Sequence, residues 1–406
     1  MTSTVYIAKN VYGGDGLGRL GDGRVVFVPG AWAGEHVKAE IVEEHRRFVR
    51  ARLVEIVEPS SDRREPGALA GIPGCVYAGL SESGEAKAKE GQLRDFLDRA
   101  RIPFPGLSAA GPAASLNYRN KVVYHFAQSG GRWIVGYRLA DGQSVVDVTE
   151  DPLAVPAINA KLPEIRRSVL SLLTQGAEAV RRDVARKGSV TVRWSEKSGV
   201  KWWIGDAPDG LVLRETTCGR EFEVPAGGFY QVNPAVADAL VKAVAEECAA
   251  HDAGDIFDLY CGVGVFGLCC AGEVARKAGG RTPRLTGVES GRQSVEFAKR
   301  NAAAMGIEAR FFADTVAHSV RRLRVGANST LIVDPPRGGL EPGVARALAA
   351  SPAGRIVYVS CDPATLTRDL RELSATYAVE SVRWFNMFPR TARFESLVVL
   401  RRANVG

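Results

Sequence analysis

The stretch Asp255–Leu268, DIFDLYCGVGVFGL, decides the fold. Its apolar start reads as a buried strand that enters a Gly-x-Gly turn, Gly262 and Gly264, and then a helix. Glycines at that point let the backbone turn sharply and come close to a ligand at the helix start. Upstream, ALVKAVAEECAA has helical spacing. Downstream, RLTGVES, ARFFADT, STLIVDPP and RIVYVSC are short apolar strands with helical segments between them. Such alternation is the pattern of a doubly wound parallel sheet.

The ends of these strands carry the chemistry. The second ends in Glu289, an acid placed to receive ribose hydroxyls, and the third in Asp314, placed to meet an adenine edge. The competing role for either acid is to cap the next helix. Gly267 completes the Gly-x-Gly-x-x-Gly spacing, but the phosphate-binding arrangement is not otherwise evident, so S-adenosylmethionine, a cofactor without phosphates, fits better than NAD. The fourth strand ends in Asp334, held by Pro335 and Pro336, which fix φ and exclude helix at the strand exit. Amino-group methyltransferases usually place an aromatic after the two prolines, whereas this chain has Arg337, which argues against simple amine methylation. The fifth strand, VYVSCDPATL, ends in Cys361. A thiol there could be filler, a redox group, a metal ligand or a nucleophile. Beside a methyl donor the position favours a nucleophile.

Composition bounds the rest. The 406 residues predict two or three domains, and 46% hydrophobic with 24% charged residues is ordinary for a soluble protein. No signal pattern or membrane-spanning apolar stretch is evident, so the expected location is the cytoplasm. The seven cysteines are scattered, with no CxxC pair, so neither a disulfide framework nor a metal site is expected. Cys269 and Cys270 read as core filler. The net charge of +7 leans toward polyanions, and Asp151–Val200 holds nine Lys and Arg against five acids. TVYIAK, RVVFVPG, HVKAEIVEE and VRARLVEIVEP, separated by Gly-rich turns, predict a small N-terminal β barrel over residues 1–60. Residues 61–227 mix helical and strand patterns and read as an α+β domain. Residues 228–406 hold the Rossmann-like sheet, so the chain as a whole is multidomain α/β.

GGFYQVNPAVADAL, DLYCGVGVFGL, DPPRGGL, SCDPATLTRDL and FPRTARFESLVVL, in that order, resemble the S-adenosylmethionine-dependent RNA uracil-5-methyltransferases. That family includes the tRNA T-loop enzyme and two 23S rRNA enzymes. The N-terminal barrel resembles the TRAM domain, an OB-like RNA-binding barrel, and YRNKVVYHF resembles the opening of the family's central domain. The resemblance implies a class I methyltransferase sheet, S-adenosylmethionine as cofactor and an rRNA or tRNA uridine as substrate, in a monomer. It places Gln231, Tyr260, Glu289 and Asp334 at cofactor contacts, Cys361 on the nucleophile and Glu395 on the general base. Val265 stands where the tRNA enzyme has Asn, and Arg393 where the family often has His. Some rRNA members hold an iron–sulfur cluster on four cysteines. Here Cys75 matches the third position, while Pro66, Ile72 and Asp151 stand at the others, so no cluster is expected.

Carbon 5 of uracil becomes nucleophilic only after a thiolate adds to carbon 6. Cys361 therefore calls for a basic surrounding that lowers its pKa. Glu395 suits removal of the carbon-5 proton, with Asp334 orienting base or cofactor. The target base must be unpaired or flipped out, with Tyr230 or Phe388 available to stack on it. Two other readings compete. A non-catalytic RNA-binding homologue would not need Cys361 and Glu395. A methyltransferase for a non-RNA substrate would not need the barrel or the thiol.

Overall fold

The computed structural model describes residues 2–112, 114–250, 254–277, 279 and 282–403. The chain forms two compact units. One is Met1–Asp95 with Phe388–Phe394, and the other is Phe96–Met387 with Glu395–Gly406.

The first unit contains a closed five-stranded barrel of β1 (Thr2–Asn10), β2 (Gly16–Arg19), β3 (Val25–Val28), β4 (His36–Glu44) and β5 (Phe48–Glu58), ordered β1-β2-β3-β5-β4. Alternate residues point inward, and Val5, Ile7, Val26, Val28, Val37, Ala39, Val49 and Ala51 make its core. Gly18 is required where β2 crosses β1, because a Cβ there would lie 2.5 Å from the Tyr6 carbonyl oxygen. Helix α1 (Glu82–Ala100) begins in this unit. It holds the late segment Phe388–Phe394 through a buried ionic cluster. The Arg390 backbone N–H donates to both Glu85 carboxylate oxygens at 3.0 and 3.1 Å, and the Arg390 guanidinium donates to the Leu80 carbonyl at 2.6 Å. Lys89 Nζ donates to Glu85 at 2.7 Å and to the Phe388 carbonyl at 3.2 Å.

The second unit carries three sheets. The first runs β11-β10-β7-β8-β9, from β7 (Lys121–Ser129), β8 (Arg132–Arg138), β9 (Val145–Asp147), β10 (Ser189–Ser195) and β11 (Gly199–Ile204). Helices α2 (Pro156–Thr174) and α3 (Glu178–Lys187) join β9 to β10, and α2 buries Ile158, Leu162, Ile165, Val169 and Leu173 at helical spacing. A hairpin, β12 (Val212–Thr217) and β13 (Arg220–Pro225), follows, and then α4 (Pro234–Ala249).

The large sheet has eight strands in the order β16-β15-β14-β17-β18-β20-β19-β6. Its strands are β6 (Leu107–Ala110), β14 (Asp255–Leu259), β15 (Arg284–Glu289), β16 (Ala309–Ala313), β17 (Ser329–Val333), β18 (Arg355–Ser360), β19 (Tyr377–Phe385) and β20 (Glu395–Arg402). The helices between them are α5 (Val265–Lys277), α6 (Arg292–Ala304), α7 (Val316–Ser319), α8 (Val344–Ala350) and α9 (Pro363–Leu373). Strands β14 to β18 pair in parallel, as the sequence predicts, and β20 pairs antiparallel with both β18 and β19. Strands β17 and β18 are buried at every residue. That burial is why they read as unbroken apolar runs. Among the described residues, no helix is long and apolar enough to cross a membrane.

Candidate active site at the carboxyl edge of the large sheet

The parallel strands all end at one edge, where a doubly wound sheet binds its ligands. After β14 the chain turns through Tyr260, which has φ +67°, and through Gly262 and Gly264, at φ +53° and +90°. The left-handed region strains a tyrosine, and strain of this kind gathers at ligand sites. The turn is fixed from three sides. The Tyr260 and Cys261 N–H groups donate to the Val288 carbonyl at 2.9 and 3.0 Å. The Gly262 N–H donates to Glu289 at 3.2 Å. The Tyr260 hydroxyl donates to Glu341. Below the turn, the Gly267 N–H donates to the buried Asp258 carboxylate at 2.8 Å. A Cβ at Gly267 would meet that same oxygen at 2.8 Å, so α5 packs this closely only because residue 267 is glycine.

Glu289 does two things at once. It accepts from Gly262 and, at 2.7 Å, from the Gly291 N–H, and so ties the glycine turn to the end of β15. Asp314 is committed locally: it accepts from the Thr315 N–H at 2.8 Å and Ser319 Oγ at 2.8 Å, and it pairs with His318 at 2.6 Å. Those bonds hold its carboxyl below the usual range, the Ser319 bond most of all.

A pocket opens beside the turn. It is lined by Gln231, Tyr260, Gly262, Val265, Phe266 and Asp334, with Phe229 and Tyr230 alongside. This lining suits a cationic nucleoside donor: apolar walls, glycine backbone, and one carboxylate, Asp334, rather than phosphate-binding cations. The two aromatics differ sharply. Tyr230 is buried and its hydroxyl bonds Thr217 at 2.5 Å, so it is a core residue and not a base-stacking group. Phe229 is 73% exposed, a strong departure for a residue of its size. Phe388 lies in the other unit.

Cys361 follows β18 directly. Asp362 caps α9 by accepting from the Ala364 and Thr365 N–H groups at 3.0 and 3.3 Å, and Pro363 takes the first helical position. The Ser-Cys-Asp-Pro run is thus a strand exit welded to a helix cap, with the thiol half-exposed in the corner. Across the antiparallel ladder Ser360 faces Ser396, so the next step brings Cys361 opposite Glu395, the first residue of β20. Glu395 is 4% exposed.

The electrostatics correct one expectation. The surroundings of Cys361 are acidic, not basic. Burial, then Glu395 and Asp334, push the Cys361 thiol up to about 12, with Arg337 opposing. Burial and Asp334 likewise hold Glu395 well above the usual carboxylate range, again against Arg337. Burial and the Asp258 charge raise Asp334 to about 7, and burial raises Asp258 to about 7. Among the described residues, Arg337 is therefore the one cation that acts on both Cys361 and Glu395. Sequence reading singled out Arg337 only as the absence of an aromatic. It missed Asp258, Glu341 and Phe229, whose roles come from partners far away in the chain.

Cys75 is buried. Asp151 accepts from the Tyr124 and Tyr137 hydroxyls at 2.9 and 2.6 Å, so its carboxylate serves a tyrosine pair in the core. Among the described residues, no group of three or more His, Cys, Asp or Glu side chains could hold a metal ion.

Comparison with known proteins adds the following. Residues 214–403 match the tRNA (uracil-5-)-methyltransferase family model, and residues 2–54 match the TRAM domain. An uncharacterized RNA methyltransferase of Streptomyces coelicolor is 31% identical over 99% of this chain and 93% of its own. The 23S rRNA (uracil(1939)-C(5))-methyltransferase RlmD of Halomonas elongata is 30% identical over 95% of this chain and 87% of its own. The Pyrococcus abyssi tRNA (uracil-54, C5)-methyltransferase, solved with S-adenosyl-L-homocysteine, shares the fold with a TM-score of 0.72 at 21% identity. It covers 98% of this chain and all of that one.

Proposed function

Because the chain belongs to the tRNA (uracil-5-)-methyltransferase family, we propose that it methylates carbon 5 of one uridine in rRNA or tRNA through a covalent adduct on Cys361. The observation that carries this reading is the juxtaposition of Cys361 and Glu395 across β18 and β20, beside a pocket built on the glycine turn. S-adenosylmethionine, when bound, supplies an electrophilic methyl group. Gln231, Tyr260, Gly262, Gly264, Glu289 and Asp334 would hold it, with Asp314 near its base.

The chain's own residues do the rest. The Cys361 thiol releases its proton to solvent, its Sγ forms a bond to carbon 6 of the uracil, and the electron pair of the 5,6 double bond moves toward carbon 5, which can then accept the methyl group. Glu395 takes the proton from carbon 5. The released pair rebuilds the double bond and expels the thiolate. Burial favours the neutral form of Glu395 and Arg337 opposes it, so the carboxylate, once ionised beside Arg337, is a stronger base than an exposed one. Phe229, exposed at the pocket rim, is the aromatic available to stack on an extruded uracil.

The test separates base from nucleophile. Glu395→Gln keeps the shape of the side chain and loses its basicity. It should accumulate a protein–RNA adduct that carries the donated methyl and survives a denaturing gel. Adding Cys361→Ala should abolish the adduct. Normal turnover by Glu395→Gln overturns the base assignment. The target uridine is found by mass spectrometry of rRNA and tRNA from cells lacking the protein, as a 5-methyluridine that disappears.

A further inference from the structure

The large sheet has a bare patch away from the site. Helices α5 and α6 pack on one face of β14, β15 and β16. The connection from β16 to β17 must cross the other face, and its only helix is the single turn Val316–Ser319. Where that turn ends, the face stays open among the described residues as a groove of about 550 Å³ that begins at the start of the strands. Arg310 and Phe312 lie two apart on β16 and so share this face. Arg322 and Arg324, from the connection, line it as well. Phe312 is 48% exposed.

The arginines here are of two kinds. Arg284 is spent in a bidentate pair with Asp255, at 2.8 and 2.7 Å. Arg310, Arg322 and Arg324 have no carboxylate partner among the described residues. Three exposed guanidinium groups around an exposed ring combine a cationic track with a stacking platform, the pairing that binds single-stranded nucleic acid without reading its sequence. The groove spans β14, β15 and β16, from their first residues Asp255, Arg284 and Ala309 to Phe312, the last residue but one of β16. Its lining shares no residue with the pocket beside the glycine turn, so the two are distinct.

We propose that this groove is a second RNA-binding site, which holds a single-stranded stretch flanking the target uridine, with phosphates on Arg310, Arg322 and Arg324 and a base on Phe312. It rests on the reading of RNA as substrate. Each arginine–phosphate pairing removed should lower the slope of log affinity against log salt by about 0.7 for a single strand. The probe is a fluorescein-labelled single-stranded oligouridylate of twenty nucleotides, with a duplex of equal length as comparison. Arg310→Glu/Arg322→Glu/Arg324→Glu should bind it at least tenfold more weakly, with a slope shallower by about 2. Unchanged S-adenosylhomocysteine binding shows that the variant is folded. If it does not fold, Arg322→Ala/Arg324→Ala in the connection should still reduce the slope by about 1.4. Phe312→Ala should weaken the single strand several-fold and leave the duplex unchanged. Affinity and slope equal to wild type, or equal losses on strand and duplex, overturn the groove alone. Wild-type protein that binds neither the oligouridylate nor purified rRNA or tRNA overturns the substrate reading as well.

Discussion

Cys361 shows how far a residue's chemistry lies from its neighbours in sequence. Its position is legible locally: an apolar strand, then Asp362 as cap and Pro363 as first helical residue. Its electrostatic setting is not legible, because Asp334, Arg337 and Glu395 come from the ends of other strands. Burial first, and then Glu395 and Asp334, keep the thiol protonated in the free protein, and a thiolate of high pKa is intrinsically the better nucleophile once formed. Alkylation of Cys361 by iodoacetamide, followed by peptide mass spectrometry, should therefore rise about tenfold per pH unit from pH 7 to 9.5. A plateau near pH 8 would contradict a thiol at about 12. S-adenosylmethionine carries a positive charge and should speed the alkylation relative to neutral S-adenosylhomocysteine, since a cation offsets the carboxylates.

At the scale of elements, the junction of β14 and α5 depends on a charge held out of water. Asp258 reaches α5 through one bond to Gly267, and its other carboxylate oxygen has no hydrogen-bond partner among the described residues. Burial raises its pKa to about 7. For an acid whose folded pKa is raised, the stabilising contribution is complete below its unfolded value of ~4 and is lost as pH rises through 7. Asp258→Asn keeps an oxygen for Gly267 and removes the titration. Thermal melts should show a gain of a few degrees over wild type at pH 8 and little gain at pH 5. An equal shift at both values would show that the buried charge is not the cause. The strand and helix of this junction are plain in the sequence, because buried parallel strands are apolar throughout and glycines mark the turn. Strand β6 escapes sequence reading: Leu107–Ala110 is short and carries no period-2 pattern, and it is a strand only because β19 lies beside it.

For the whole molecule, RNA binding should be spread over separate basic surfaces. The barrel offers Arg46 and Arg47, exposed in the turn between β4 and β5. Arg46→Glu/Arg47→Glu should shallow the salt dependence of RNA affinity by about 1.5 and leave S-adenosylhomocysteine affinity untouched. Titrations at several salt concentrations measure both, and an unchanged slope would remove the barrel turn from the RNA interface. The barrel and the doubly wound sheet are legible because each is built from local runs with regular turns. The division of the chain into units is not, because Phe388–Phe394 groups with residues some 290 positions earlier. That late segment sets a timetable for synthesis. A ribosome adding ~5–20 residues per second needs roughly 15–60 s to go from Asp95 to Phe388. Through that interval the nascent first unit holds Glu85 and Lys89 without the backbone that later covers them. The part of the protein made first is thus among the last to be finished, and a chain broken off before Phe388 lacks Glu395 and leaves its first unit incomplete.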